Sequence, residues 1–187
     1  DELFLSEEEV VDYISEFKKD SDHIYGYEQE EFGIAPYITF YIYHQDDKVE
    51  EVANKAIDVY EAFENEIIDR PFKLRYRKAE KWKKTRQEMI EQMHEGYKKY
   101  FVYFIAATTA DSPIQSARWA FCAQISDDNN SRYTTLKLSF GEKWYREHKS
   151  KWYQFVQHCL IKLNPIQAYS GYEIGNSTNF NIVSPEF

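Results

Sequence analysis

The chain has 187 residues, 32 acidic against 23 basic, and a formal net charge of −9. That length suits one domain with an adequate core and leaves two full domains crowded, and a hydrophobic share of 43% with 18% aromatics excludes disorder through lack of burial. No apolar run approaches the roughly 18 to 20 residues that a membrane span needs; the longest, Tyr100 to Ala107, suits a strand.

Ser6 with Glu9 three residues later forms a capping box, which predicts a helix whose stripe is Val10, Val11, Ile14 and Phe17. Asp20 to Glu31 reads as a loop in which Tyr25 and Tyr27 alternate with acid. Ile34 to Tyr43 is rich in β-branched and aromatic residues and predicts a strand, with Pro36 near its start. Asp46 or Asp47 can cap the following helix, whose inward face is Val49, Val52, Ala53, Ala56, Val59, Tyr60, Phe63 and Ile67 and whose outer face is Glu50, Glu51, Asp58, Glu61 and Glu64.

Pro71 ends that helix, a short strand spans Phe72 to Tyr76, and a second helix covers Ala79 to Met93, stopped by Gly96. Three strands follow at Tyr97 to Ala107, Ala117 to Ile125 and Tyr133 to Phe140; connections this short make them antiparallel neighbours. One long helix from Glu142 to Leu163 carries Trp144, Trp152, Phe155, Val156, Cys159, Leu160 and Leu163, and Tyr169 to Gly175 predicts an edge strand. The order predicts an α+β single domain over residues 1–175, a largely antiparallel sheet with helices packed against it, and a polar tail over 176–187.

Charge is divided unevenly. Residues 1–70 hold 21 acidic and 5 basic residues, a net of −16, and the remainder is net +7. Such a split points to an electrostatic partner or to well-solvated helix faces. Lys73, Arg75, Arg77, Lys78, Lys81, Lys83, Lys84 and Arg86 form a basic segment around Trp82. It reads as a phosphate-binding stripe, hence a nucleic-acid-binding module, or as the intramolecular partner of the acidic helix before it.

Motifs for chemistry are missing. The five histidines form no zinc pattern, no phosphate-binding glycine loop occurs, and Ser170 lacks the glycine two residues before it that a nucleophile elbow requires and reads as a turn residue. His158 beside Cys159 cannot pair with it within one helix, because adjacent residues point about 100° apart. The expectation is a non-enzymatic binding protein with no metal or cofactor. Cys122 and Cys159 read as free thiols, and with no basic-then-apolar leader before Asp1 the expected compartment is the cytoplasm.

The stretch Leu136-Lys-Leu-Ser-Phe-Gly-Glu-Lys-Trp144, continued by Phe155 and Val156 to Leu163-Asn-Pro165 and then Tyr169-Ser-Gly171-Tyr, resembles type VI secretion immunity proteins of the TsiV kind. In that family a strand ending in a bulky residue precedes a Trp, a helix and an aromatic-Gly turn. The resemblance implies a protein that binds and blocks a cognate secreted toxin, often a nuclease of the VRR-Nuc type. Members tend to be longer, which implies further sequence beyond Phe187. An acidic inhibitor suits a nuclease, whose groove must be basic to hold phosphates. The expected toxin-binding residues are therefore Tyr25, Tyr27, Glu28, Glu30, Glu31, Asp46, Asp47, Glu50 and Glu51.

Overall fold

Alternation at Ile38, Phe40 and Ile42 puts three bulky apolar side chains on one side of Phe32–Tyr43, and this segment is strand β1. The computed structural model describes residues 32–43, 49–68, 71–75, 85–100, 102–110, 119–126 and 133–176. After β1 come helix α1 (Val49–Ala62), extended by a π-helical turn at Phe63–Ile67, and strand β2 (Leu74–Arg75). Helix α2 (Arg86–Tyr100) precedes β3 (Val102–Thr108), β4 (Ala120–Ser126) and β5 (Tyr133–Ser139). Helices α3 (Glu142–Glu147) and α4 (Lys149–Leu163) lead to β6 (Gln167–Asn176). The predicted helix after Ser6, the loop from Asp20 to Glu31 and residues 177–187 lie outside the described residues.

The six strands form one sheet in the order β2-β3-β4-β5-β1-β6, antiparallel at every pairing. The predicted α+β class therefore holds, and the consecutive strands β3, β4 and β5 are neighbours as their short connections require. β1 inserts between β5 and β6. Pro36 marks where its ladder with β5 stops: the Phe140 N–H donates to the Pro36 carbonyl at 2.9 Å, and proline has no N–H to return that bond.

The described helices cover one face of the sheet. Phe40, Phe121, Ala123, Leu136 and Leu138 point into a core closed by Val52, Ala56, Val59 and Phe63 of α1 and its turn, Met89 and Met93 of α2, and Phe155 and Cys159 of α4. α2 packs on β3, α1 on β4, and α4 beside α1, so the helix layer runs α2, α1, α4 across the sheet. The opposite face is lined by the odd-numbered residues of β1, including Tyr37, Thr39 and Tyr41, together with Thr135, Lys137 and Ser139 of β5.

Aromatic rings join the two layers. Phe63 lies 5.4 Å from the Phe140 ring, 5.7 Å from Phe155, 5.9 Å from Phe72 and 6.1 Å from Trp119. These are ordinary offset and edge contacts. Gly141 follows Phe140, and a Cβ there would sit 3.2 Å from three atoms of the buried Trp119 indole, so the glycine is set by close packing.

Several sequence expectations fail for identifiable reasons. Gly96 does not end a helix, because α2 continues to Tyr100 and absorbs the predicted start of β3 at Tyr97. An interior glycine costs about 1 kcal/mol, and the stripe Met89, Met93 and Tyr97 packed on the core outweighs it. The described helix opens on a capping box: Thr85 N–H donates to Glu88 Oε2 at 3.1 Å and Glu88 N–H to Thr85 Oγ1 at 3.2 Å. Residues 79–84 lie outside the described residues.

The helix expected over 142–163 is broken at His148, whose backbone (φ −125°, ψ 37°) is not helical. Its ring stacks on Trp144 at 5.2 Å, and the break lets α3 lay Trp144 against Phe140 while α4 turns Trp152 and Phe155 inward. Leu160, expected in the core stripe of α4, is exposed. The strand expected over Tyr169 to Gly175 holds as part of β6, so Ser170 is not in a turn and Tyr169 to Tyr172 is not an aromatic-Gly turn; Gly171 pairs with Tyr37.

Phe63→Ala removes the ring shared by four others and is expected to cost about 3 to 5 kcal/mol in denaturant unfolding. Gly141→Ala forces Trp119 to shift and should cost about 1 to 3 kcal/mol by the same measurement.

Candidate docking surfaces

Helices α1 and α2 lie side by side and antiparallel. Arg86 at the start of α2 bridges Asp58 at 3.0 Å and Glu61 at 2.7 Å near the end of α1, while His94 further along α2 lies 3.8 Å from Glu50 in the first turn of α1. On its other flank Asp58 meets Lys162 of α4 at 2.6 Å. One carboxylate of the acidic helix is thus held between two cations of the basic part of the chain. Burial pushes the Asp58 carboxyl up, but hydrogen bonds and charge from Lys162 and Arg86 outweigh it and hold the group below its ordinary value.

Arg86 is the last residue of the predicted phosphate-binding stripe, and its guanidinium is engaged by α1. For this residue the intramolecular alternative is the correct one. Lys73 is exposed and Arg75 lies in β2, and the positions from Arg77 to Lys84 lie outside the described residues.

Of the expected toxin-binding residues, Glu50 and Glu51 are described, and both project to solvent from the first turn of α1, with side chains 74% and 58% exposed. Glu51 pairs with Lys55 at 2.9 Å, one turn on. Tyr25, Tyr27, Glu28, Glu30, Glu31, Asp46 and Asp47 lie outside the described residues. The fold adds two carboxylates that sequence reasoning passed over: Glu91 and Glu95 of α2 flank His94 in the chain and are exposed. Their signal was the i, i+4 spacing in a segment judged only for its apolar positions. Glu50, Glu51, Glu91 and Glu95 make an acidic end to the α1–α2 pair.

The face of the sheet opposite the helices has a different character. At its centre Lys137 of β5 pairs with Glu173 of β6, the Ser139 hydroxyl donates to Glu173 at 2.6 Å, and the Lys137 ammonium lies 5.2 Å from the Tyr37 ring centroid. Beside them the rings of Tyr41 and Tyr169 meet edge-on at 5.8 Å. Thr39 and Ser139 on this face are 4% and 6% exposed, so its centre is a packed layer around one satisfied ion pair and not an open surface.

Neither surface holds the ingredients of a metal centre: among the described residues no group of three or more His, Cys, Asp or Glu is placed to hold an ion. Cys159 is fully buried in α4, burial pushes its thiol up to about 12, and the adjacent His158 is exposed, so the two do not work together. Cys122 and Cys159 are both free thiols. No helix among the described residues is long and apolar enough to cross a membrane.

Arg86→Ala should lower stability by about 1 kcal/mol, as expected for a networked surface ion pair. Because the folded Asp58 value lies below the unfolded one, its contribution is present above about pH 4 and is lost as pH falls through the folded value. In acid titrations of unfolding free energy, Asp58→Asn should therefore flatten the decline below about pH 4. Native Cys159 should resist iodoacetamide at pH values where the unfolded chain is alkylated at both cysteines, a difference that peptide mass mapping reads directly.

No family model matches the chain, and no curated protein matches it in sequence. Among solved structures it is similar to the T6SS protein PA0821 of Pseudomonas aeruginosa, with a TM-score of 0.68 at 14% sequence identity. The match covers 94% of this chain and 54% of that one, so this chain spans about half the length of the protein it resembles. The α+β fold described above is thus one that a protein of the type VI secretion system also adopts.

Proposed function

We propose that this chain is an immunity protein: it binds a cognate toxin delivered by type VI secretion and neutralises it, without catalysis of its own. The observation that supports this most is the likeness of fold, over nearly the whole chain, to a protein named for that system. The resemblance of residues 136–172 to TsiV-type immunity proteins points the same way from sequence.

The toxin's chemistry is read from charge. Glu50, Glu51, Glu91 and Glu95 project from one end of the α1–α2 pair, and Asp46 and Asp47 precede that end in the chain. A nuclease holds its substrate through a basic groove, and carboxylates on an inhibitor steer toward such a groove and can occupy it. The preferred target is therefore a nuclease, met in the cytoplasm where its substrate lies. The competing reading, direct nucleic-acid binding by residues 73–86, loses Arg86 to its ion pairs with α1.

The test is binding of the purified chain to the toxin encoded by the adjacent gene, followed at several salt concentrations. A complex is expected whose association slows as salt rises, and Glu50→Lys with Glu51→Lys, Glu91→Lys and Glu95→Lys should slow it on the order of tenfold or more. Absence of a complex defeats the immunity reading. A tight complex indifferent to the four reversals keeps immunity and removes the acidic surface.

A further inference from the structure

Every described helix packs on one face of the sheet, and the register lays out the other face in rows, because residues opposite each other in an antiparallel pair share a face. One row is Thr108, Ala120, Ser139, Tyr37 and Gly171, running from β3 across to β6. The next is Ala106, Cys122, Lys137, Thr39 and Tyr169. Ala35 stands on the same face beyond Tyr37, opposite Glu173.

The second face of an antiparallel sheet is commonly solvated, and its residues are then polar and exposed. Here Ala35, Ala106 and Thr108 are 1%, 0% and 0% exposed, and Thr39 and Ser139 are buried with them. Across the β3–β4 pair Ala106 meets Cys122 and Thr108 meets Ala120, side chains too short to roof a neighbour. The Thr108 hydroxyl oxygen is moreover buried with no hydrogen-bond partner among the described residues, and such an orphan marks a place where something further lies against it. These are the properties of a floor beneath a second layer.

The chain before β1 has what such a floor requires. A helix from Ser6 to Lys19 is too short to stand alone in water, so its stripe of Val10, Val11, Ile14 and Phe17 needs a surface to meet. That helix would be about 20 Å long, and β3 lies three strand spacings, about 14 Å, from β1. Asp20 to Glu31 allows up to about 40 Å of connecting chain and joins β1 at Phe32, three residues before Ala35. Residues 177–187, the alternative source of cover, are fewer and are interrupted by Pro185.

We infer that the segment Ser6 to Lys19 docks as a helix on this second face, with Val10, Ile14 and Phe17 against the small side chains of β3, β4 and β5. The helical repeat then turns Glu8, Asp12 and Glu16 to solvent. The sheet lies between two helical layers, and the carboxylates of this segment form an outward field on the opposite side of the sheet from Glu50 and Glu51. The inference does not depend on the identity of any toxin.

Cys122, at the middle of the face on β4, serves as the reporter, because the other cysteine, Cys159, is fully buried on the helix side. In the full chain carrying Ile14→Cys, a short bis-maleimide should join residues 14 and 122 as the main intramolecular product in peptide mass mapping. Asp12→Cys, turned outward, should give about tenfold less of the corresponding product. With the native cysteines, Ile14→Asp together with Phe17→Asp should lift the helix and raise the rate of Cys122 alkylation by iodoacetamide on the order of tenfold. Should that double variant fail to fold, the cross-link decides, since it needs one mild substitution at a time. Absence of the 14–122 product, or equal yields from positions 12 and 14, overturns the inference. So does a folded double variant whose Cys122 reacts at the wild-type rate, the result expected if residues 177–187 form the cover instead.

Discussion

The ring of Phe63 stands where the helix layer and the sheet exchange their largest side chains. It belongs to the π-helical turn that ends α1, closed by the Ile68 N–H donating to the Phe63 carbonyl at 3.2 Å. That wide turn seats both Phe63 and Ile67 in the core before the chain reaches Pro71 and Phe72. Phe72 then stacks on Tyr60, Trp119 opens β4 beside Gly141, and Phe140 receives Trp144 from α3. Removing volume here loosens four elements together, because a close-packed interior cannot refill one void without shifting its neighbours.

Charge acts on a second level. The −16 of residues 1–70 and the +7 of the remainder suggest a molecule with two opposed faces. The fold mixes them: Asp58 and Glu61 are drawn inward to Arg86 and Lys162, and this links α2, α1 and α4 at one end of the layer. What remains outward at the other end is Glu50 and Glu51 with Glu91 and Glu95. The acidic character of α1 therefore has two consequences separated by about two turns of helix, cohesion of the layer and an outward field.

Local periodicity explains how much of this was legible in the sequence. The α1 stripe from Val49 to Ile67 and the alternation of Trp119, Phe121, Ala123 and Ile125 are each imposed by one neighbouring surface, so the pattern alone reveals them. Gly96 misled because propensity is local whereas the Met89, Met93 and Tyr97 contacts that override it are not. The break at His148 was hidden because eight residues separate Trp144 from Trp152, a spacing an unbroken helix also satisfies. The place of β1 between β5 and β6 depends on pairings 90 or more residues away, and nothing in Ile34 to Tyr43 encodes the partner. For the site, composition gave sign and region. The adjoining of Glu50 with His94, and hence the addition of Glu91 and Glu95, required the antiparallel packing of two helices.

β6 answers to the strand expected over Tyr169 to Gly175, whereas the turn reading of Ser170 rested on composition and failed. Tyr169-Ser-Gly171-Tyr has the residues of a turn, yet each is used as a strand residue. Gly171 lies opposite Tyr37 with room for the tyrosine ring 3.5 Å from where a Cβ would stand, Tyr169 meets Tyr41, and Tyr172 reaches Glu142. These contacts tie both faces of the strand to its own molecule.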